Sequence, residues 1–267
     1  MLGAIIGDIV GSRFEFHNIK SKYFELFHPK CRFTDDSVMT IAVAKSIMEA
    51  DENYSNLGEL AVKNMRELGR AYPRCGYGGM FFDWLMDDDP QPYNSFGNGA
   101  AMRVSPCGFA AKSLKEAIAL SRAVTQVTHN HPEGLKGAEA TAVAVYLAKK
   151  GKSKCAIRWY ISRHYYKLNF KLADIRDSYH FDETCQGSVP YAITAFLESR
   201  DFVDAIRNAI SIGGDSDTIA AITGGIAEAY YGVPEKVEME AMQYLEEYAE
   251  LKKIIASTRN KYFKDLQ

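Results

Sequence analysis

Apolar residues recur at intervals of three and four along most of the chain, and few stretches alternate apolar and polar positions as strands do. The spacing predicts helices over 57–68, 114–127, 189–198 and 237–255. Another is predicted over 36–50, which starts among acidic and hydroxyl residues suited to an N-cap. Segments 2–10, 135–147 and 219–230 are apolar nearly all round, a pattern that belongs in the middle of a bundle rather than on its surface. Small residues repeat along them at four-residue spacing (Gly3, Gly7, Gly11; Gly137, Thr141), so backbones can approach closely. The best candidate for a short strand is 174–181. No Pro/Gly/Ser-rich linker, internal repeat or long charge run interrupts the chain, so the expectation is one all-α domain over 1–267.

Composition narrows the class of function. With 47% hydrophobic and 25% charged residues, the 267-residue chain has ordinary globular proportions, which excludes disordered or collagenous proteins. A net charge of -2 gives no general pull toward nucleic acid or an anionic membrane. Five widely spaced cysteines, with no C-x-x-C pair, suit a reducing compartment better than a disulfide framework. The apolar N-terminal run lacks a preceding basic residue and is interrupted by Asp8, and no 18-residue apolar span occurs. The expectation is a cytoplasmic protein.

Candidate chemistry lies in where the acids fall. Thr34-Asp35-Asp36-Ser37 opens one helix, and Gly213-Gly214-Asp215-Ser216-Asp217-Thr218 opens a central apolar one. A helix cap needs one such residue, whereas each segment supplies three or four. Carboxylates gathered at buried helix ends repel one another unless a cation neutralises them. Oxygen donors without cysteine or a helical H-x-x-x-H favour a hard ion such as Mg²⁺, Mn²⁺ or Ca²⁺, one or a close pair. Met39 stands where an aspartate-rich D-D-x-x-D helix would carry its third acid, which counts against a prenyl- or nucleotide-diphosphate enzyme of that type.

Two further segments are open to more than one reading. Ser95-Phe96-Gly97-Asn98-Gly99, running on to Arg103, is either an anion-binding loop or an ordinary turn. In Thr128-His129-Asn130-His131, the histidines are ligands, an acid/base pair or helix-start residues. Glu15 is a lone acid just after an apolar helix, and Asp87 to Asp89 are charges of a solvated loop.

Taken together and in order, the segments 3–11 with Glu15, 33–39, 95–103, 128–129 and 213–220 resemble the ADP-ribosylglycohydrolase family. The resemblance implies an all-α, mostly orthogonal helical domain with two Mg²⁺ or Mn²⁺ ions at the bottom of a cleft. By motif matching, Thr34, Asp35 and Asp36 ligate on one side, and Asp215, Asp217 and Thr218 on the other. Glu15 lies beside the metals and the scissile bond, and Glu15 or Asp36 carries the proton. Ser95, Phe96, Gly97, Asn98 and Gly99 hold the diphosphate and distal ribose, with His129 nearby. The implied activity is hydrolysis of the bond between ADP-ribose and a modified acceptor, such as an arginine or serine side chain; the other reading is a catalytically silent relative that binds ADP-ribose or serves a structural role. Segments 158–166 and 182–190 look like those of a short bacterial subgroup. Cys185 there is expected to be a packed thiol.

Overall fold

The structure is a computed structural model and describes residues 1–262. Fifteen helices are found among them: α1 Leu2–Gly11, α2 Asp35–Glu49, α3 Leu57–Ala71, α4 Gly79–Met86, α5 Gly99–Met102, α6 Ser105–Ala110, α7 Leu114–Thr125, α8 Pro132–Lys149, α9 Lys154–His164, α10 Leu172–Ile175, α11 Cys185–Leu197, α12 Phe202–Ile210, α13 Ser216–Tyr231, α14 Glu235–Gln243 and α15 Ala249–Tyr262. Among the described residues there is no sheet; one isolated antiparallel bridge joins Gly97 to Thr184. No helix there is long and apolar enough to cross a membrane.

Local chemistry starts many of these helices. Side chains of Thr34, Ser113, Ser153, Thr184 and Asp201 each accept a hydrogen bond from an amide in the first turn that follows. His131 does the same for α8, ahead of a proline whose fixed φ suits a first helical position. At the other end of α13, Gly232 adopts a φ of +76° and stops the helix.

The three segments that are apolar all round form α1, α8 and α13, and every residue of α1 is buried. Helix α1 lies along α13 so tightly that a Cβ on Gly3 would fall 2.2 Å from the Gly224 carbonyl oxygen. One on Gly7 would fall 2.0 Å from the Ala220 carbonyl oxygen. No side chain fits there, so the four-residue glycine spacing sets how close the helices come. Gly137 plays the corresponding part where α8 meets Cys185 of α11.

Two expectations are corrected. Segment 174–181 is not a strand: it closes a short helix, Tyr179 N donates to Ile175 O at 2.8 Å, and the Tyr179 hydroxyl donates to Gly187 O. Ile175 and Tyr179 are therefore an i,i+4 pair, and among the described residues no neighbouring strand offers a ladder. The predicted helix over 237–255 is two helices, α14 and α15, with the chain turning inward between them. Leu245 is fully buried there, and Tyr248 packs edge-on against Phe33 with centroids 4.7 Å apart, so burial of these side chains overrides continuous helical spacing.

Candidate functional site

Helix α1 and the N-termini of α2 and α13 bring the acids together. Asp8 is the only ionisable residue of α1 and is fully buried. It accepts from Thr34 N (2.8 Å), Thr34 Oγ1 (2.7 Å), Ser37 N (3.1 Å) and the Ser37 hydroxyl. Asp8 thus pins the start of α2 onto α1 and aims Asp35 and Asp36 at α13. The sequence reading missed it, although a single acid inside a wholly apolar helix was the available signal.

The start of α13 is shaped by a turn in which Gly213 and Gly214 take φ of +69° and +76°. Asn18, also missed from sequence, clamps this turn: Gly214 N donates to its Oδ1 at 2.7 Å, and its Nδ2 donates to Gly214 O at 2.9 Å. No sequence signal distinguishes this asparagine from an ordinary loop residue. With the turn held, Asp215 and Asp217 face Asp36 and Glu15. Thr218 Oγ1 donates to Asp36 Oδ2 at 3.1 Å, joining the two clusters.

Carboxylate oxygens of Asp8, Asp36 and Asp217 lie within 4.8 Å of one another, and so do those of Glu15, Asp215 and Asp217. Asp217 belongs to both groups. Burial and the neighbouring carboxylates push Asp35, Asp36 and Asp217 well above the usual carboxylate range, and burial raises Asp215. Burial, then the Asp215 charge, pushes Glu15 up to about 7. Burial takes Asp8 to about 6 against the opposing pull of its hydrogen bonds. Among the described residues, Asp36 Oδ1 is buried without a hydrogen-bond partner. An all-oxygen cluster that resists ionisation and carries an orphaned carboxylate oxygen fits a hard divalent cation. Thr34 Oγ1 gives its proton to Asp8, leaving only its lone pairs for any ligand role.

The acids line one side of a cavity of about 410 Å³. Ser95, Phe96, Gly97, Asn98, Gly99, Arg103 and His129 line it as well. The 95–99 segment is held from behind: Asn98 N donates to Glu183 O (2.7 Å), Cys185 N to Phe96 O (2.9 Å), and Gly97 N to Ser95 Oγ (3.1 Å). Two of its amides are thereby spent inside the protein rather than pointed at an anion. Asn98 Nδ2 bridges Ser188 Oγ (2.9 Å) and Asp215 Oδ2 (2.7 Å), connecting this side to the acids. Phe96 is 43% exposed, so its ring is not core packing; it leans on His131 at 5.2 Å. His131 caps α8, accepting from Glu133 N, while His129 is the histidine that borders the cavity. Cys185 is a buried thiol whose pKa burial pushes far up, as expected of a packed cysteine.

The chain as a whole is similar to known proteins. A model described as ADP-ribosylglycohydrolase matches residues 1–265. The chain is 27% identical to the ADP-ribosylhydrolase ARH3 of Homo sapiens, over 92% of this chain and 89% of that protein. It is also 27% identical to the ADP-ribosylarginine hydrolase Tri1 of Pseudomonas putida (strain GB-1), over 94% of this chain and 76% of that one. A solved structure titled "ADP-ribosylglycohydrolase-related protein complex" shares the fold, with a TM-score of 0.64 at 23% identity, covering 92% of this chain and 96% of that chain.

Proposed function

The chain belongs to the ADP-ribosylglycohydrolase family, and from that premise we propose that its cavity hydrolyses the glycosidic bond between ADP-ribose and a modified acceptor, with two Mg²⁺ or Mn²⁺ ions held by its acids. The observation that carries the reading is the pair of buried carboxylate groups sharing Asp217, on a cavity whose other side offers Asn98 and His129. Asp36, Asp215 and Asp217 would hold the ions, with Thr34, Asp35 and Thr218 completing the shell. When bound, the ions supply Lewis-acid orientation of the ribose hydroxyls and a more acidic water.

The bond to be cut joins the anomeric carbon to nitrogen or oxygen, and its transition state has oxocarbenium character. The oxygen of water adds to that carbon, the glycosidic bond breaks, and one proton passes to the departing acceptor atom. Glu15 is suited to carry this proton because it borders the cavity beside Asp215 and Asp217, where its pKa would be set jointly by burial and by the bound ions. Asp36, with one oxygen unpartnered, is the other candidate. Ser95, Phe96, Gly97, Asn98, Gly99 and His129 would orient the diphosphate and distal ribose.

The test is release of free ADP-ribose from arginine-, serine- and nucleic-acid-linked conjugates with Mg²⁺, Mn²⁺ or EDTA. Metal-dependent release from one conjugate, absent in Asp215→Ala/Asp217→Ala, supports the hydrolase and identifies its acceptor. Release that survives EDTA and the double substitution contradicts it. Unchanged turnover in Glu15→Gln would remove Glu15 as the proton carrier and leave Asp36.

A further inference from the structure

Arg103 follows the Gly-Asn-Gly segment and is only 1% exposed, yet it forms no ion pair among the described residues. A guanidinium buried without a carboxylate is costly and needs a reason. Its Nη2 donates to Thr128 Oγ1 at 2.6 Å, and Thr128 Oγ1 lies 2.8 Å from His129 Nδ1. We propose that Arg103 and Thr128 form a hydrogen-bonded relay that locks His129 as the neutral tautomer with its proton on Nε2, presenting that N–H to an oxygen of the diphosphate-bearing substrate. The identity of the ligand rests on the reading of the cavity as an ADP-ribose site; the tautomer rests on hydrogen-bond geometry alone.

The direction of each bond follows from counting donors and acceptors. Arginine only donates, so the Thr128 oxygen accepts from it. The single hydroxyl proton of Thr128 has two oxygen or nitrogen atoms within reach, Thr125 O at 3.3 Å and His129 Nδ1 at 2.8 Å. Thr125 O already accepts from Thr128 N (3.1 Å) and His129 N (2.9 Å), so both its lone pairs are engaged. The proton therefore goes to Nδ1, and an oxygen that accepts from a cation is a stronger donor in turn. With Nδ1 accepting, the ring proton sits on Nε2.

Nε2 faces the 97–99 segment. A Cβ on Gly99 would lie 3.3 Å from it and one on Gly97 3.6 Å, so glycines leave the space beside the ring open. Nε2 makes no hydrogen bond within the described residues, which leaves its proton for a ligand in the cavity. The Gly97 and Asn98 amides of the neighbouring segment are spent internally, so the ring N–H adds a donor on that side. Burial, then the Arg103 charge, lowers His129 well below its ordinary value, in keeping with a ring that stays neutral. The tyrosine ring of residue 93, at 5.7 Å, packs on the imidazole and limits its rotation. Thr128 is accordingly a positioning residue, and Arg103, although it also borders the cavity, acts on the ring through Thr128.

The experiment records ¹⁵N spectra of histidine-labelled protein, with His129→Gln assigning the signal, alongside Thr128→Val and Thr128→Ser. The expected wild-type pattern is Nε2 protonated and Nδ1 bare throughout the range in which free histidine titrates. Thr128→Val should convert this to a tautomer mixture and weaken ADP-ribose binding, measured by calorimetry, by about tenfold, the cost of one good hydrogen bond. Thr128→Ser should restore both, and KM should rise more than kcat falls in the valine variant. A wild-type ring protonated on Nδ1, or a ring pattern unmoved by Thr128→Val, overturns the relay. Wild-type protein that binds no ADP-ribose overturns the reading of the cavity and the substrate half of the proposal, while the ring signals decide the relay by themselves.

Discussion

One side of the cavity gathers Glu15, Asp35, Asp36, Asp215 and Asp217, whereas the other carries Arg103, His129 and the glycine-flanked Asn98. Both sides are buried and both are electrostatically costly, but they solve the cost differently. Asp36 accepts from Thr218 and Asp215 from Asn98, while Thr34 and Ser37 are spent on Asp8 behind them, and Asp36 Oδ1 is still left without a partner. Arg103 spends one arm on a relay to His129 and leaves its Nε unpartnered. On the proposed reading, the acidic side takes a hard cation and the opposite side an oxygen anion. A diphosphate-linked ribose would span the two sides, its hydroxyls toward the bound ions and its phosphate oxygens toward His129. The α1–α13 seam differs from both, since Gly3 and Gly7 meet the backbone of Gly224 and Ala220 with no space for a side chain or a ligand.

The largest expected effect separates the two sides by function. Asp217 belongs to both acid groups, so Asp217→Ala should lower turnover on the order of a thousandfold, the upper range for losing one electrostatic contact to a transition state. ADP-ribose affinity, carried mostly by the opposite side, should fall far less. Equal losses in steady-state kinetics and in calorimetric ADP-ribose binding would erase the distinction.

Asn98 is the bridge, with Nδ2 shared between Ser188 and Asp215. Asn98→Ala should reduce Mn²⁺ affinity by roughly 10–100-fold, as losses of outer partners of a metal ligand do. Asn98→Asp, which swaps the donor for a further acid, should be at least as damaging. Unaltered Mn²⁺ affinity in the alanine variant would show that Asp215 needs no support from the other side.

The smallest effect is a difference in pH response. In metal-free protein, Asp8 rises from 3.8 to about 6 and Glu15 from 4.5 to about 7, so the folded chain holds protons that the unfolded chain has released. Their contribution to stability is therefore lost as pH rises from about 4 to 7. His129 has the opposite sign: kept neutral when folded, it loses stability as pH falls below its ordinary 6.5, where the unfolded chain takes up a proton. Thermal melting of His129→Gln in EDTA should accordingly decline more steeply with rising pH than that of the wild type. Parallel curves for the two proteins would contradict the opposition.

Much of this was legible in the chain. The uninterrupted apolar character of 2–10, 135–147 and 219–230 marked the three central helices, and the glycine spacing marked where two of them would touch. The acids at 35, 36, 215 and 217 exceeded what capping requires, which identified the acidic side. Asp8 was harder to read because its role depends on α2 arriving over α1, a contact between residues 26 and 29 positions apart. Asn18 depends on a partner 196 positions away and resembles any loop asparagine. Segment 174–181 misled because alternation over a few residues also fits one helical turn when no partner strand exists. The break between α14 and α15 goes with burial of Leu245 and edge-on packing of Tyr248 on Phe33, which periodicity does not encode.

On the proposed reading, the acidic side holds divalent ions through Asp217. The most direct measurement is a calorimetric titration of Mn²⁺ into EDTA-stripped, dialysed wild-type protein and into Asp217→Ala. Saturable binding of two ions to the wild type is expected, accompanied by a higher melting temperature, with both responses lost or greatly weakened in the variant. No saturable binding to the wild type, or binding that Asp217→Ala leaves intact, would contradict it.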